Sequence, residues 1–224
     1  FADNIVLVCE DRVYEVQVNE DEFELLKVNK KDYEELIVPI VDTTGGQILF
    51  STFTTQFPAF DYNSYEMSDS TVNLIRQVAD DFMLELCRAE YKYLDGYWKN
   101  LFFNWEVRTG VDKEVFACMA VFEDGLYYDP LYAPMFVAND TILIFDHYKN
   151  TLFKYDLDRN PIDSVPIDYH SPEIEVGNEF ERQLVRDEVT GCIYAVYQRP
   201  GGLCYLKCID LNTGAVASTH NLTF

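Results

Sequence analysis

The sequence predicts an all-β fold, a β-propeller of antiparallel three- to four-stranded blades, and three observations carry that expectation. The 224-residue chain is rich in strand formers, with 16 Phe and 16 Tyr. Polar turn clusters recur between short β-rich runs, centred near residues 20, 69, 110, 158 and 213, so the steps are 49, 41, 48 and 55 residues. A period of about 40 to 50 residues holding several short strands is the signature of a propeller blade. Several strand-like runs are also apolar on both faces, such as Ile142-Leu143-Ile144-Phe145 and Ile193-Tyr194-Ala195-Val196-Tyr197. A strand with one wet face would alternate instead. One twisted sheet cannot bury both of its faces alone, and sheets set around an axis cover each other.

In chain order, the first turn, Asn19-Glu20-Asp21-Glu22, follows Val13–Val18, and the second, Ser68-Asp69-Ser70-Thr71, follows Phe60–Met67. The third, Arg108-Thr109-Gly110-Val111-Asp112, follows Leu101–Val107, which reads as a strand. The last two units are the clearest. Thr141–Asp146 is a strand, His147–Asn150 a turn, Thr151–Leu157 the returning strand, Asp158-Arg159-Asn160 a turn, and Ile162–Ile167 leaves. Cys192–Gln198, Leu203–Leu211, Asn212-Thr213-Gly214 and Ala215–Leu222 repeat that grammar. Val78–Leu94 reads two ways: Val78, Phe82, Leu86, Ala89 and Tyr93 have near-helical spacing, while Phe82–Leu86 alternates as a strand. The repeat requires an inner strand there and favours the strand. Asp168–Phe180, with Pro172 and Gly177, reads as a loop. Residues 1–224 are read as a single β-propeller domain.

Charge and composition exclude several functions. Lys and Arg total 17 against 39 Asp and Glu, for a formal charge of -22. Nucleic acid is not an expected partner, because phosphate contacts need a basic face, and an anionic membrane surface is excluded on the same ground. No run approaches the ~18 apolar residues of a membrane helix. The first ten residues lack a basic region followed by an apolar one, so no signal peptide is read there.

The segment Pro134–His147, followed by Lys154-Tyr155-Asp156-Leu157-Asp158, resembles the uncharacterised six-bladed β-propeller proteins exported by gut-dwelling bacteria, which are NHL-like and commonly predicted lipoproteins. The resemblance implies six blades where about five are visible, hence a ring incomplete at its C-terminal side or closed with five. It also implies an extracytoplasmic location, periplasmic or as a cell-surface lipoprotein. Its motifs are strands and turns and specify no activity.

No catalytic signature is present. Gly-x-Ser-x-Gly is missing, and no Cys-x-x-Cys occurs among Cys9, Cys87, Cys118, Cys192, Cys204 and Cys208. On a strand, Cys204 and Cys208 lie ~13 Å apart, too far for a disulfide or a shared zinc. Asp156-Leu157-Asp158-Arg159-Asn160 lacks the Gly and Glu of a calcium loop. No catalytic residue, metal site or cofactor is therefore expected. The candidate ligand-binding residues are Tyr97, Trp98, Tyr127 and Tyr128, whose rings can stack on a ligand, His147, Tyr148 and His170 in predicted turns, and the scarce cations Arg182 and Arg199 as anchors for an acidic ligand. The expected function is a non-catalytic extracytoplasmic binding or scaffold protein that holds a glycan, peptide or protein partner on propeller-face loops. The alternative is an enzyme, a sugar lyase or hydrolase, with its site in the central channel.

Overall fold

The computed structural model describes residues 5–19, 22–34, 38–122, 129–171, 179–199 and 203–222. Its strands form four antiparallel sheets of three or four strands, each laid down in simple chain order. The first contains β1 (Ile5–Val8), β2 (Val13–Asn19) and β3 (Glu22–Val28). The second contains β4 (Ile40–Thr44), β5 (Gln47–Ser51), β6 (Ala59–Glu66) and β7 (Val72–Ala79). The third contains β8 (Met135–Ala138), β9 (Thr141–Asp146), β10 (Thr151–Asp156) and β11 (Pro161–Pro166). The fourth contains β12 (Glu179–Arg186), β13 (Ile193–Gln198), β14 (Cys204–Ile209) and β15 (Val216–Asn221). Among the described residues no sheet closes into a barrel.

The turn clusters near 69, 158 and 213 are hairpin turns, and each joins the last two strands of its sheet; the first cluster falls between the paired Asn19 and Glu22, with 20–21 outside the described residues. Their chemistry is local. After β14, the Asp210 carboxylate accepts from Asn212 N and Thr213 Oγ1, and Gly214 N donates to Asp210 O at 2.8 Å. Asp187 repeats the device between β12 and β13 with Val189 N, Thr190 Oγ1 and Gly191 N. These donors hold both carboxyls below the usual carboxylate range. The left-handed residue that closes such turns is Ser70, Arg159 or Gly214, at φ 61, 71 and 73°.

The third cluster is different, and it corrects the count of five strand units to four sheets. Leu101–Val107 is not a strand; it lies inside α3 (Gly96–Thr109), and residues 110–112 link α3 to α4 (Lys113–Phe122). The Asp95 carboxylate caps α3 by accepting from Tyr97 N and Trp98 N, and Gly110 closes it at φ 74°. Trp98, Phe102 and Trp105 recur at helical spacing, and both Phe102 and Trp105 meet Phe116 of α4. The strand favoured for Phe82–Leu86 is likewise corrected: β7 ends at Ala79, and α2 (Asp81–Tyr93) begins behind Asp80, whose carboxylate accepts from Met83 N at 2.9 Å. Cys87 and Cys118 form a disulfide that ties α2 to α4. A short α1 (Lys30–Asp32) follows β3. Cys204 and Cys208 lie on one strand, as expected, and neither is disulfide-bonded.

The chain divides into two compact units, Phe1–Phe53 with Asp61–Gln77, and Thr54–Phe60 with Val78–Phe224. Within the first, Val13 and Leu49 are fully buried. Within the second, the third and fourth sheets share one core that includes Leu143, Phe145, Leu152, Ile167, Ile193, Ala195 and Tyr205. Ile142, Leu143, Ile144 and Phe145 are all at most 2 % exposed, so both faces of β9 are covered, as its unbroken apolar run predicts. Burying each such side chain contributes about 1.5–3 kcal/mol.

Candidate functional site

The ends of strands in the second unit frame a cleft of about 670 Å³. Antiparallel order places the start of β8, the end of β9 and the end of β11 on one edge of the third sheet. It likewise places the start of β12 beside the end of β13 on the fourth sheet. Leading into or out of these ends are Tyr132, His147 with Tyr148, Tyr169 with His170, Glu179 with Phe180, and Tyr197, all of which line the cleft. Asp80, Phe82 and Met83 at the N-terminus of α2 complete one wall, and Asp129 and Pro130 another.

His147 is the hub of this cluster. Its Nδ1 lies 2.9 Å from Phe145 O and 3.1 Å from Tyr132 O, and two carbonyls can be met only by an N–H, so Nδ1 carries the proton. Nε2 is then an acceptor, and the Tyr169 hydroxyl donates to it at 2.8 Å. The imidazole stacks on Phe180 with centroids 5.4 Å apart and planes at 20°, and lies 4.8 Å from the rings of both Tyr132 and His170. Burial among these rings, with the neighbouring His170 adding to it, lowers the His147 pKa to about 4. His170 is lowered as well, again chiefly by burial. Burial pushes the Tyr169 hydroxyl upward and Tyr132 up to about 12. The site is therefore an uncharged aromatic floor at neutral pH.

The polar groups around that floor are largely committed to the protein. The Tyr197 hydroxyl donates to Tyr169 O, and the Tyr132 hydroxyl accepts from Leu184 N at 2.7 Å. The Tyr148 hydroxyl donates to Asp80 Oδ1 at 2.8 Å, so the residue that caps α2 also steadies a ring of the cleft wall. His170 Nε2 donates to Asn150 Oδ1 at 2.8 Å, leaving its buried Nδ1 as an acceptor without a hydrogen-bond partner. Arg182 projects from a bulge in β12, where the register shifts between Phe180 and Leu184 and Arg182 itself has φ 50°. Its guanidinium is held by the Asp129 carboxylate and Pro130 O and lies 5.8 Å from the Tyr132 ring centroid.

Of the residues proposed from sequence, His147, Tyr148, His170 and Arg182 come together here. Tyr97 and Trp98 do not line the cleft; they sit in the first turn of α3, where Trp98 packs 5.7 Å from Phe102. Arg199 follows β13, with its guanidinium 4.7 Å above the Tyr205 ring. Tyr127 and Tyr128 lie outside the described residues. Asp80, Glu179, Phe180 and Tyr197 are lining residues that sequence reasoning missed. Their segments are distant in the chain and meet only through sheet register, so no local motif could have flagged them.

Among the described residues, no group of three or more His, Cys, Asp or Glu is placed to hold a metal ion, and no helix is long and apolar enough to cross a membrane. No protein-family model and no curated protein matches the chain.

Proposed function

We propose that this is a non-catalytic, extracytoplasmic binding or scaffold protein, that its sheets are blades of an NHL-like β-propeller, and that the cleft at the sheet edges holds a glycan, peptide or protein partner. The observation that carries the binding role is the cleft itself: a concave, aromatic-lined space at one end of two packed sheets, with polar groups at its rim. Its framework is built in advance of any ligand, since Tyr132, His147, Tyr148, Tyr169 and Tyr197 are each held by hydrogen bonds within the protein. Support for the blades comes from the simple chain order of every sheet, the turn repeated before each last strand, and the core shared by the third and fourth sheets. The Cys87–Cys118 disulfide fits an oxidising compartment.

The non-catalytic reading is favoured over a lyase or hydrolase because the central imidazole has both nitrogens occupied, Nδ1 by two carbonyls and Nε2 by Tyr169. The test is a thermal-shift screen of saccharides and short peptides on the wild type and on Tyr148→Ala. Tyr148 is 45 % exposed, so its truncation leaves the core intact. A ligand that raises the melting temperature of the wild type and not of the variant supports the site. A ligand that stabilises both equally places binding elsewhere.

A further inference from the structure

We propose that the cleft is selective for a cationic side chain, so that its ligand is a peptide segment presenting arginine or lysine. This deepens the binding role proposed above and rests on it.

The lining has already committed most of its hydrogen-bond donors to the protein. Tyr148, Tyr169 and Tyr197 spend their hydroxyl protons on Asp80, His147 and a backbone carbonyl. Arg182 turns two of its five N–H donors to Asp129 and Pro130 O. Among the described lining residues, what faces a ligand is chiefly acceptors and ring faces: the carboxylates of Glu179 and Asp80, and the rings of Phe82, Tyr148 and Phe180. Two hydroxyls can still donate: Ser171 at the rim, and Tyr132, which accepts from Leu184 N and keeps its proton. A saccharide shows donors and acceptors together, and reading it requires both kinds of partner. Guanidinium and ammonium groups only donate, and both are attracted to aromatic faces. An acceptor-and-ring surface therefore matches a cation better than a sugar.

Charge in the cleft favours a cation as well. Asp129 pairs with Arg182, so among the described lining side chains the carboxylates of Asp80 and Glu179 face no side-chain cation, while the two histidines are uncharged at neutral pH. The sequence-based role of Arg182 as an anchor for an acidic ligand does not suit this arrangement, because its positive charge already has its carboxylate. The whole chain, at -22, draws cations toward itself and repels anions. That field alone would collect basic peptides anywhere on the surface, so the test must separate the cleft from the field.

The probes are blocked tripeptides, Gly-Arg-Gly, Gly-Lys-Gly and Gly-Glu-Gly, with a neutral linear hexasaccharide beside them, titrated by calorimetry into the wild type, Glu179→Gln, Tyr148→Ala and Glu24→Gln. Glu24 is an exposed carboxylate on β3, belongs to the first compact unit and is not among the lining residues, and controls for the general field. The expected result is binding of the Arg and Lys peptides only. Loss of the Glu179 charge should weaken it about fivefold, loss of the Tyr148 ring should weaken it by about threefold or more, and Glu24→Gln should leave it unchanged. Equal weakening by Glu24→Gln and Glu179→Gln would overturn the proposal, since the peptide would then read only net charge. Binding of the hexasaccharide that Tyr148→Ala abolishes would overturn cation selectivity while leaving the cleft as the binding site. Failure of every probe to bind would overturn the selectivity proposed here, and the broader screen on Tyr148→Ala would still decide the fate of the cleft.

Discussion

Acidification should strip stability from the second unit through His147, beginning near pH 6.5, above the ordinary carboxylate range. The folded pKa of this imidazole is about 4, against an ordinary value of 6.5. Because the folded value is the lower one, the unfolded chain takes up the proton first as pH drops. The stabilisation is thus complete above about pH 6.5 and is lost as pH falls toward about 4. At about 1.36 kcal/mol per pH unit the full loss is about 3 kcal/mol, of which about 2 kcal/mol is gone by about pH 5. His170, lowered in the same direction, adds to it. Urea unfolding followed by Tyr fluorescence at about pH 7 and about pH 5 measures the loss. His147→Gln keeps an amide donor for the carbonyls and an acceptor for Tyr169 but has no proton to gain, so its stability should fall less over the same interval. Independently, the His147 imidazole resonances should stay constant from about pH 8 down to about pH 5 in the wild type. A His147 resonance that titrates near 6.5 would refute the reasoning, whatever the behaviour of the variant.

Three further outcomes follow from packing and caps. Reducing the Cys87–Cys118 bond, which spans 31 residues, should destabilise the helical segment by about 3–4 kcal/mol on the loop-entropy model, seen as a lower melting temperature with a reductant than without. Asp80→Ala should cost about 1–2 kcal/mol in chemical denaturation, because it uncaps α2 and releases Tyr148, while Asp80→Asn should recover much of the loss. Gly214→Ala should cost roughly 2 kcal/mol or more in the same assay: the residue sits at φ 73°, and an added Cβ would lie 1.9 Å from Pro166 O. Gly110→Ala is the contrast, with a similar φ of 74° and open space around it, so only the backbone strain applies.

The hairpins were legible because their chemistry is local. Asp210 with Asn212, Thr213 and Gly214 needs nothing beyond its own five residues to fold into a turn. The strands β9, β10, β13 and β14 were legible through their apolar runs between such turns. The helices were not, and α3 shows why. Leu101-Phe102-Phe103-Asn104-Trp105-Glu106-Val107 is composed like a strand, and its apolar side chains point both inward, as Phe102 does, and outward, as Phe103 and Val107 do. No clean amphipathic stripe marks it. The cap residues Asp95 and Gly110 were the usable signal, and Gly110 was read as the centre of a hairpin turn. The even spacing of turns was therefore partly accidental, since the helices α2 to α4 occupy the stretch assigned to a sheet. At the cleft, His147, Tyr148 and His170 could be found because turn residues at strand ends gather at sheet edges. Phe180 and Tyr197 could not, since their proximity follows from the pairing of β12 with β13, Phe180 opposite Tyr197.

Whether the edge cleft of the second unit binds a ligand is decided by backbone amide chemical-shift mapping during titration with Gly-Arg-Gly. Concentration-dependent shifts are expected at 80–83, 129–132, 147–148, 169–171 and 179–182, with β15 and α3 unmoved. Shifts scattered over the acidic surface, or gathered around Tyr97 and Trp98, would contradict binding at the cleft.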